Sequence, residues 1–527
     1  MTLTRATAMG LNGAISTPHY LASAAGVRIL QDGGNALDAC VAACAVLGVV
    51  WPQMCGVGGD LFTIIYPKNG ERPIVLNASG RAGSKATHEF VRAAGYSQLP
   101  EKGPLSVVTP GCVHGWSIAL KRFGTRDLRA LLQPAIGFAQ EGFPISRHLA
   151  HAIRSGLRHL NDPARDTFAP RGVLPAPGDV MRQPALAGTL RQIAERGPDV
   201  MYDGAIGQRI GRFLESTGGH HTPEDIAAHS SEWVEPARVE FNGYDVCAVP
   251  PNSQALLHLM ALAVLDTLEL GEAQGARATH LQVEAMKYAF RERRSIADPA
   301  FVDVPVPRLT SCEHAAAGRA QLQLDRATAP AVGVGAGDTV YLCAADRDGN
   351  AVSMIQSLRQ GFGSGLMVPE AGIMLNDRGR DFGIEDGDPN QIAPGKRPRH
   401  TLSPAMALRD GRPAYVYGTR GGDGQPFTML QLGCNLLEFG MDPQEALDAP
   451  RWSVEPQAAG PADGKLALES RFSEETRVRL QAMGHPVVPA DDFDFALGTA
   501  CIVQIDRERG VFLAGADPRG DGVALAL

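Results

Sequence analysis

Residues 336–353 read Ala336-Gly337-Asp338-Thr339-Val340-Tyr341-Leu342-Cys343-Ala344-Ala345-Asp346-Arg347-Asp348-Gly349-Asn350-Ala351-Val352-Ser353. Two apolar runs, 340–345 and 351–358, flank an Asp-Gly-Asn turn, which predicts a β-hairpin with Thr339 at its very start. Residues 61–66, 414–418 and 499–505 have the same strand character. Much of the chain before the hairpin reads as helix. Residues 20–31 run into Gly33-Gly34, suited to a C-cap, and 35–50 begin on Asn35, suited to N-capping. Residues 280–296 place Leu281, Ala285 and Ala289 with Met286 and Phe290 at helical spacing. An α+β chain follows, an antiparallel sheet flanked by helices.

The composition agrees with a globular protein. Of 527 residues 44% are hydrophobic and 20% charged, unlike collagen, coiled coil or long disorder. Lys+Arg 49 against Asp+Glu 57 gives a net charge of −8 without basic blocks, which argues against nucleic acid or an anionic membrane as partner. The longest apolar run, 39–51, is shorter than the roughly 20 residues of a membrane span. No signal-peptide pattern follows Met1, and the nine cysteines lack Cys-x-x-Cys spacing, so reduced thiols and a cytoplasmic location are expected. The Pro/Gly-rich stretches 169–178, 329–337 and 387–395 are too short for linkers, which predicts one compact unit over 1–527.

Sixty glycines ask for a use. The runs at 56–59, 361–365 and 418–422 never give Gly-x-Gly-x-x-Gly between a strand and a helix, so a nucleotide cradle is not expected. Gly421 and Gly422 follow a strand and can offer two backbone N–H groups to an oxyanion; a tight turn is the competing reading. His148 with His151, and His220 with His221, lack carboxylate or cysteine partners at ligand spacing, so no metal is expected. No Gly-x-Ser-x-Gly elbow occurs. Thr339 offers a different chemistry. A cut between Asp338 and Thr339 would give Thr339 an α-amine of pKa about 7.7–8.0, able to act as base for its own hydroxyl. The bland alternative is a β-branched residue opening a strand.

In combination, several motifs resemble the gamma-glutamyltranspeptidase family of N-terminal nucleophile hydrolases. They are Gly33-Gly-Asn-Ala-Leu-Asp-Ala39, Pro52-Gln-Met-Cys-Gly-Val-Gly-Gly-Asp-Leu-Phe62, Val108-Thr-Pro-Gly-Cys-Val-His-Gly115, Pro250-Pro-Asn-Ser253 and Glu284-Ala-Met-Lys-Tyr-Ala-Phe290 with Asp298-Pro299. Thr339 with residues 346–353, Pro394-Gly-Lys-Arg-Pro398, Ser403-Pro404 and Gly418-Thr-Arg-Gly-Gly422 complete the pattern. The resemblance implies a four-layer αββα sandwich and a precursor that cleaves itself between Asp338 and Thr339. The products would be a large chain, 1–338, and a small chain, 339–527, that stay together. It further implies Thr339 as nucleophile, its α-amine as base, Gly421 and Gly422 as oxyanion donors, Ser357 as a neighbouring hydroxyl, and no cofactor or metal. The expected partners are a small-molecule amide and the two chains of one precursor, with a homodimer left open.

The resemblance also locates the departures. Where the family grips a substrate α-carboxylate with arginine, this chain has Ser79, with Arg81 two residues on, taking that work from a shifted position or not at all. Asp381 keeps the place of the aspartate that meets a substrate amino group, but Arg378 replaces a glutamine, Arg359 a small amide residue, and His400-Thr401 a serine pair. A more cationic pocket suits a carboxylate substrate, including one without an α-amine. The competing reading pairs Arg359 and Arg378 with Asp377 or Asp381, so that they only shape the loop. Similar departures mark the branches that act as cephalosporin (glutaryl) acylases and oxamate amidohydrolases. The expectation is therefore an amidohydrolase of a small carboxylate-bearing amide, whether oxamate-like, glutaryl or γ-glutamyl. Its alternatives are a γ-glutamyl transferase acting on glutathione, a non-catalytic carboxylate receptor on the same scaffold, and, third, a metal hydrolase.

Overall fold

The hairpin lies near the middle of a seven-stranded antiparallel sheet in the computed structural model, which describes residues 3–328, 337–454 and 464–527. The Pro/Gly-rich run at 329–336, including Ala336, falls outside the described residues. The sheet runs Val523–Ala526, Gly13–Thr17, Asp338–Asp346, Ala351–Arg359, Asp60–Tyr66, Ile74–Ala78 and Glu232–Val234. Asp346 fixes the turn: its Oδ1 accepts the N–H groups of Asp348 (3.0 Å) and Asn350 (3.1 Å). Its Oδ2 accepts Ala36 N–H at 2.8 Å, tying the hairpin to the first turn of the Ala36–Val50 helix.

Strand alternation then divides the chain into layers. Val340, Leu342 and Ala344 point into a core shared with the Ala36–Val50 helix, while Tyr341, Cys343 and Ala345 point into a second core shared with the other sheet. That second sheet, also seven-stranded and antiparallel, runs Ala8–Gly10, Val511–Ala516, Ala500–Asp506, Arg412–Thr419, Ala405–Arg409, Tyr244–Ala248 and Ala237–Phe241. The sheets meet closely: a Cβ on Gly418 would lie 2.3 Å from the Tyr341 ring, and Ser16 Oγ donates to Gly515 O at 2.7 Å. Helices Leu256–Leu265, Ala276–Phe290 and Gln425–Gly433 cover the far side of the second sheet. The architecture is the four-layer αββα sandwich.

Local chemistry explains the element ends. Asn35 and Asp38 form a reciprocal capping box, and Gly33 takes the left-handed φ of 82° that ends the preceding helix, Tyr20–Gln31. The apolar run at 39–51 is the Ala36–Val50 helix, buried on every face. Among the described residues no helix is long and apolar enough to cross a membrane. The helix read at 280–296 starts earlier and stops at Phe290. Beyond it Arg291 N–H returns to Tyr288 O, tightening the turn, and Arg293 leaves the helix to meet Asp423.

Candidate active site

Thr339 sits where the hairpin ladder slips. Val340 pairs with Gln356 and Asp338 with Arg359, so the register shifts across Thr339, a bulge that sets Ser357 and Leu358 against this one residue. Thr339 is 1% exposed. In the uncut chain its Oγ1 lies 2.7 Å from the Asp338 carbonyl oxygen and 3.0 Å from Ser357 Oγ. Ser357 Oγ is also 2.7 Å from Asp338 O and accepts Arg359 N–H at 2.7 Å. Two hydroxyls thus converge on one carbonyl, that of the peptide bond between Asp338 and Thr339. Gly59 enables this packing, because a Cβ there would lie 2.3 Å from Ser357 O. Residues 56–59 form a turn, Gly59 N–H donating to Gly56 O at 3.0 Å, made without a positive φ at Gly58 or Gly59, and both glycines also permit close approach.

Gly421 and Gly422 follow the Arg412–Thr419 strand with φ of 139° and 55°. Among the described residues neither N–H donates a hydrogen bond. Gly337 leans on this turn: a Cβ on it would lie 2.6 Å from Gly422 Cα. The two glycines, the peptide bond before Thr339 and the Ser357 hydroxyl therefore occupy one locality.

The arginines are spoken for. Arg359 grips both oxygens of Asp381 (Nε to Oδ2 2.8 Å, Nη2 to Oδ1 2.8 Å), and its Nη2 lies 3.3 Å from Asp423 Oδ2. Arg378, 0% exposed, reaches Asp381 at 3.1 Å, Asp60 at 3.4 Å and Thr401 Oγ1 at 2.9 Å. The pairing thus runs to Asp381, Asp60 and Asp423, while Asp377 takes Gln360 N–H (3.0 Å) and lies 3.5 Å from Lys102 Nζ. Burial disfavours a charged Asp381, but the two guanidiniums outweigh it and hold the carboxyl well below the usual range. His400 is fully buried, its Nε2 at 3.1 Å from Asp60 while Leu402 N–H donates to Nδ1, the pattern of a neutral ring. Burial, with Arg378 adding repulsion, lowers its pKa to about 4. Arg81 turns away, onto Ser230 O (3.0 Å) and Glu232.

Sequence reading overlooked Asp423, Arg293, Arg420 and Arg399. Asp423 directly follows the glycine pair and anchors it through Arg293 and Arg359. Arg420 precedes the pair and stands 3.5 Å from Asp338 Oδ1. Adjacency to flagged residues was the available signal. Away from the site, His280, Glu284 and His485 bring ligand-capable atoms within 4.8 Å of one another. Lys287 Nζ already occupies Glu284 at 2.7 Å, and Thr328 N–H and Oγ1 donate to the same carboxylate, so the group ties down the chain at Thr328.

A family model described as gamma-glutamyltranspeptidase matches residues 22–527. The glutathione hydrolase-like YwrD proenzyme of Bacillus subtilis is 38% identical over 98% of this chain and 99% of its own length. The oxamate amidohydrolase proenzyme of Klebsiella pneumoniae is 39% identical over 97% of this chain and 98% of its own. Among solved structures, cephalosporin acylase from Bacillus halodurans superposes with a TM-score of 0.93 at 36% identity, covering 100% of this chain and 98% of that one.

Proposed function

Because the chain belongs to the gamma-glutamyltranspeptidase family and is an amidohydrolase of the N-terminal nucleophile class, we propose that it matures at the bond between Asp338 and Thr339. It then hydrolyses amides of a small carboxylate-bearing acid that lacks an α-amine. In maturation Thr339 Oγ attacks the Asp338 carbonyl, the C–N bond breaks as the proton passes to the Thr339 nitrogen, and water hydrolyses the resulting ester. The products are chains of 338 and 527 − 338 = 189 residues. In turnover the freed α-amine takes the Thr339 hydroxyl proton and returns it to the leaving amine. The Gly421 and Gly422 N–H groups, unused among the described residues, hold the oxyanion. Water then releases the acid.

The observation that carries the substrate class is the saturation of Asp381. In a γ-glutamyl site the aspartate at this place accepts the substrate's ammonium. Here the Arg359 guanidinium covers both oxygens and Arg378 takes a second contact on one of them. A substrate ammonium would have to displace an internal cation, and a plain diacid amide would not. The named activities of the oxamate and cephalosporin relatives support this direction.

The test is a panel of oxamate, glutaryl-p-nitroanilide and γ-glutamyl-p-nitroanilide with the processed protein, alongside a denaturing gel. We expect two bands, the smaller beginning Thr339-Val-Tyr, a single band for Thr339→Ala, and kcat/KM higher for the glutaryl than the γ-glutamyl anilide. Unchanged processing in Thr339→Ala, or preference for the γ-glutamyl substrate, would sink the reading.

A further inference from the structure

One guanidinium beside the candidate site, that of Arg399, has donors that no described residue accepts. Asp60, Asp381 and Asp423 are the carboxylates of the network. Arg359, Arg378 and Arg293 are the guanidiniums bonded to them. Arg399 lies beside the network as a fourth guanidinium. Its backbone N–H donates to Asn390 Oδ1 at 2.7 Å, and Asn390 Nδ2 donates to Asp381 O, so one amide side chain ties Arg399 to the Asp381 loop. Its side chain makes no hydrogen bond or ion pair with any described residue. It feels Arg293 as well as Asp381, Asp423 and Asp388 without touching them. Burial and the repulsion of Arg293 pull its pKa down to about 10, so it remains a cation near neutral pH.

A partly buried guanidinium with unused donors is costly unless something accepts from it. Asp381, Asp60 and Asp423 are already engaged by other arginines, and Arg81 is turned onto Glu232. We infer that Arg399 receives the substrate's free carboxylate and thereby sets the preference for acids over uncharged acyl groups. The inference rests on the proposed hydrolase reading and deepens it. The planar fork of Arg399 would bind the carboxylate bidentately, while Arg359 and Arg378 hold the loops that frame it.

The experiment compares glutaryl-p-nitroanilide with butyryl-p-nitroanilide, which lacks the carboxylate, on processed wild type, Arg399→Met and Arg399→Lys. Arg399→Met is expected to lower kcat/KM for the glutaryl substrate roughly ten- to a hundredfold, mainly through KM, and to leave the butyryl substrate within about twofold. Arg399→Lys should recover part of the loss, since it keeps charge but not the fork. Thermal stabilisation by glutarate supplies a second readout, present in the wild type and lost in Arg399→Gln. An equal loss on both anilides, or no loss in a processed and acylated Arg399→Met, overturns the assignment to Arg399 alone. A wild type that forms no acyl-enzyme on Thr339 overturns both this inference and the reading beneath it.

Discussion

Two buried arginine–carboxylate networks among the described residues are built to different rules. The first frames the candidate site: Arg359 and Arg378 with Asp381, Asp60 and Asp423. The second joins the Leu466–Glu469 strand to the turn after Val511–Ala516: Arg451 and Arg519 with Glu469 and Asp517. In the second, Arg519 spends every donor, on Glu469 (2.7 and 2.8 Å), Asp517 (3.2 Å), Leu447 O (2.8 Å) and Ala449 O (3.1 Å). In the first, Arg378 Nη2 has no partner among the described residues, and Arg399 stands beside the network unpaired. A network that closes on itself specifies a fold; one with donors left over is poised to receive something else.

The largest expected effect breaks the closed network. Arg519→Met takes one of two guanidiniums from each of two buried carboxylates, Glu469 and Asp517, and should cost about 3–5 kcal/mol of stability, read as a fall in Tm, while KM of the surviving folded enzyme stays put. A changed KM would erase the distinction between the networks.

Acid should separate them next. His400 has a pKa of about 4 when folded against 6.5 when free, so the unfolded chain binds the extra proton and stability falls as pH drops from 6.5 towards 4. The loss amounts to about 3 kcal/mol. Asp517 is held below 3.8, burial opposing and Arg451 and Arg519 prevailing. Its contribution is therefore complete above pH 3.8 and lost only as pH falls through the lower folded value. Melting curves from pH 7 to 4 should show a shallower slope in His400→Gln than in the wild type. His19, His221 and His258 are held near 4 as well and act on both proteins alike. Identical slopes would remove His400 from the account.

Arg359→Asn sharpens the comparison at the level of specificity. Uncovering Asp381 should move the ratio of γ-glutamyl to glutaryl turnover by about tenfold towards the amine-bearing substrate; an unmoved ratio would mean that Asp381 does not face the acyl group. The smallest effect belongs to Arg81→Gln. Its partner Glu232 is well exposed, so the pair should be worth about 0–1 kcal/mol and kcat/KM should stay within about twofold. A large loss would return Arg81 to the pocket.

The sequence made the frame readable because the relevant signals were local. The hairpin at 339–358, the capping of Ala36–Val50 and the strand before Gly421 each depend on neighbours in the chain. The same holds for the juxtaposition of Thr339 with Asp338. The nearby partner Asp381 was readable, but the distant ones were not: Arg378 meets Asp60, 318 residues away, and Arg359 meets Asp423, 64 residues away. Substitution by arginine at 359 and 378 signalled added positive charge, and the competing reading that Asp381 absorbs it holds, while the fold adds Asp60 and Asp423 and leaves the Arg399 side chain without a partner among the described residues.

The interleaving of strands carries one more consequence. Gly13–Thr17 lies between Val523–Ala526 and Asp338–Asp346, and Asp60–Tyr66 pairs with Ala351–Arg359. Were the chain cut after residue 338, the two fragments would hold interleaved strands of one sheet. Folding would have to precede the cut, and unfolding would then be a one-way event: reassembly becomes a bimolecular search that depends on concentration, whereas the intact chain refolds alone. The mature molecule would owe its lifetime to a kinetic barrier, and the Thr339→Ala precursor would be the form whose equilibrium stability can be measured reversibly.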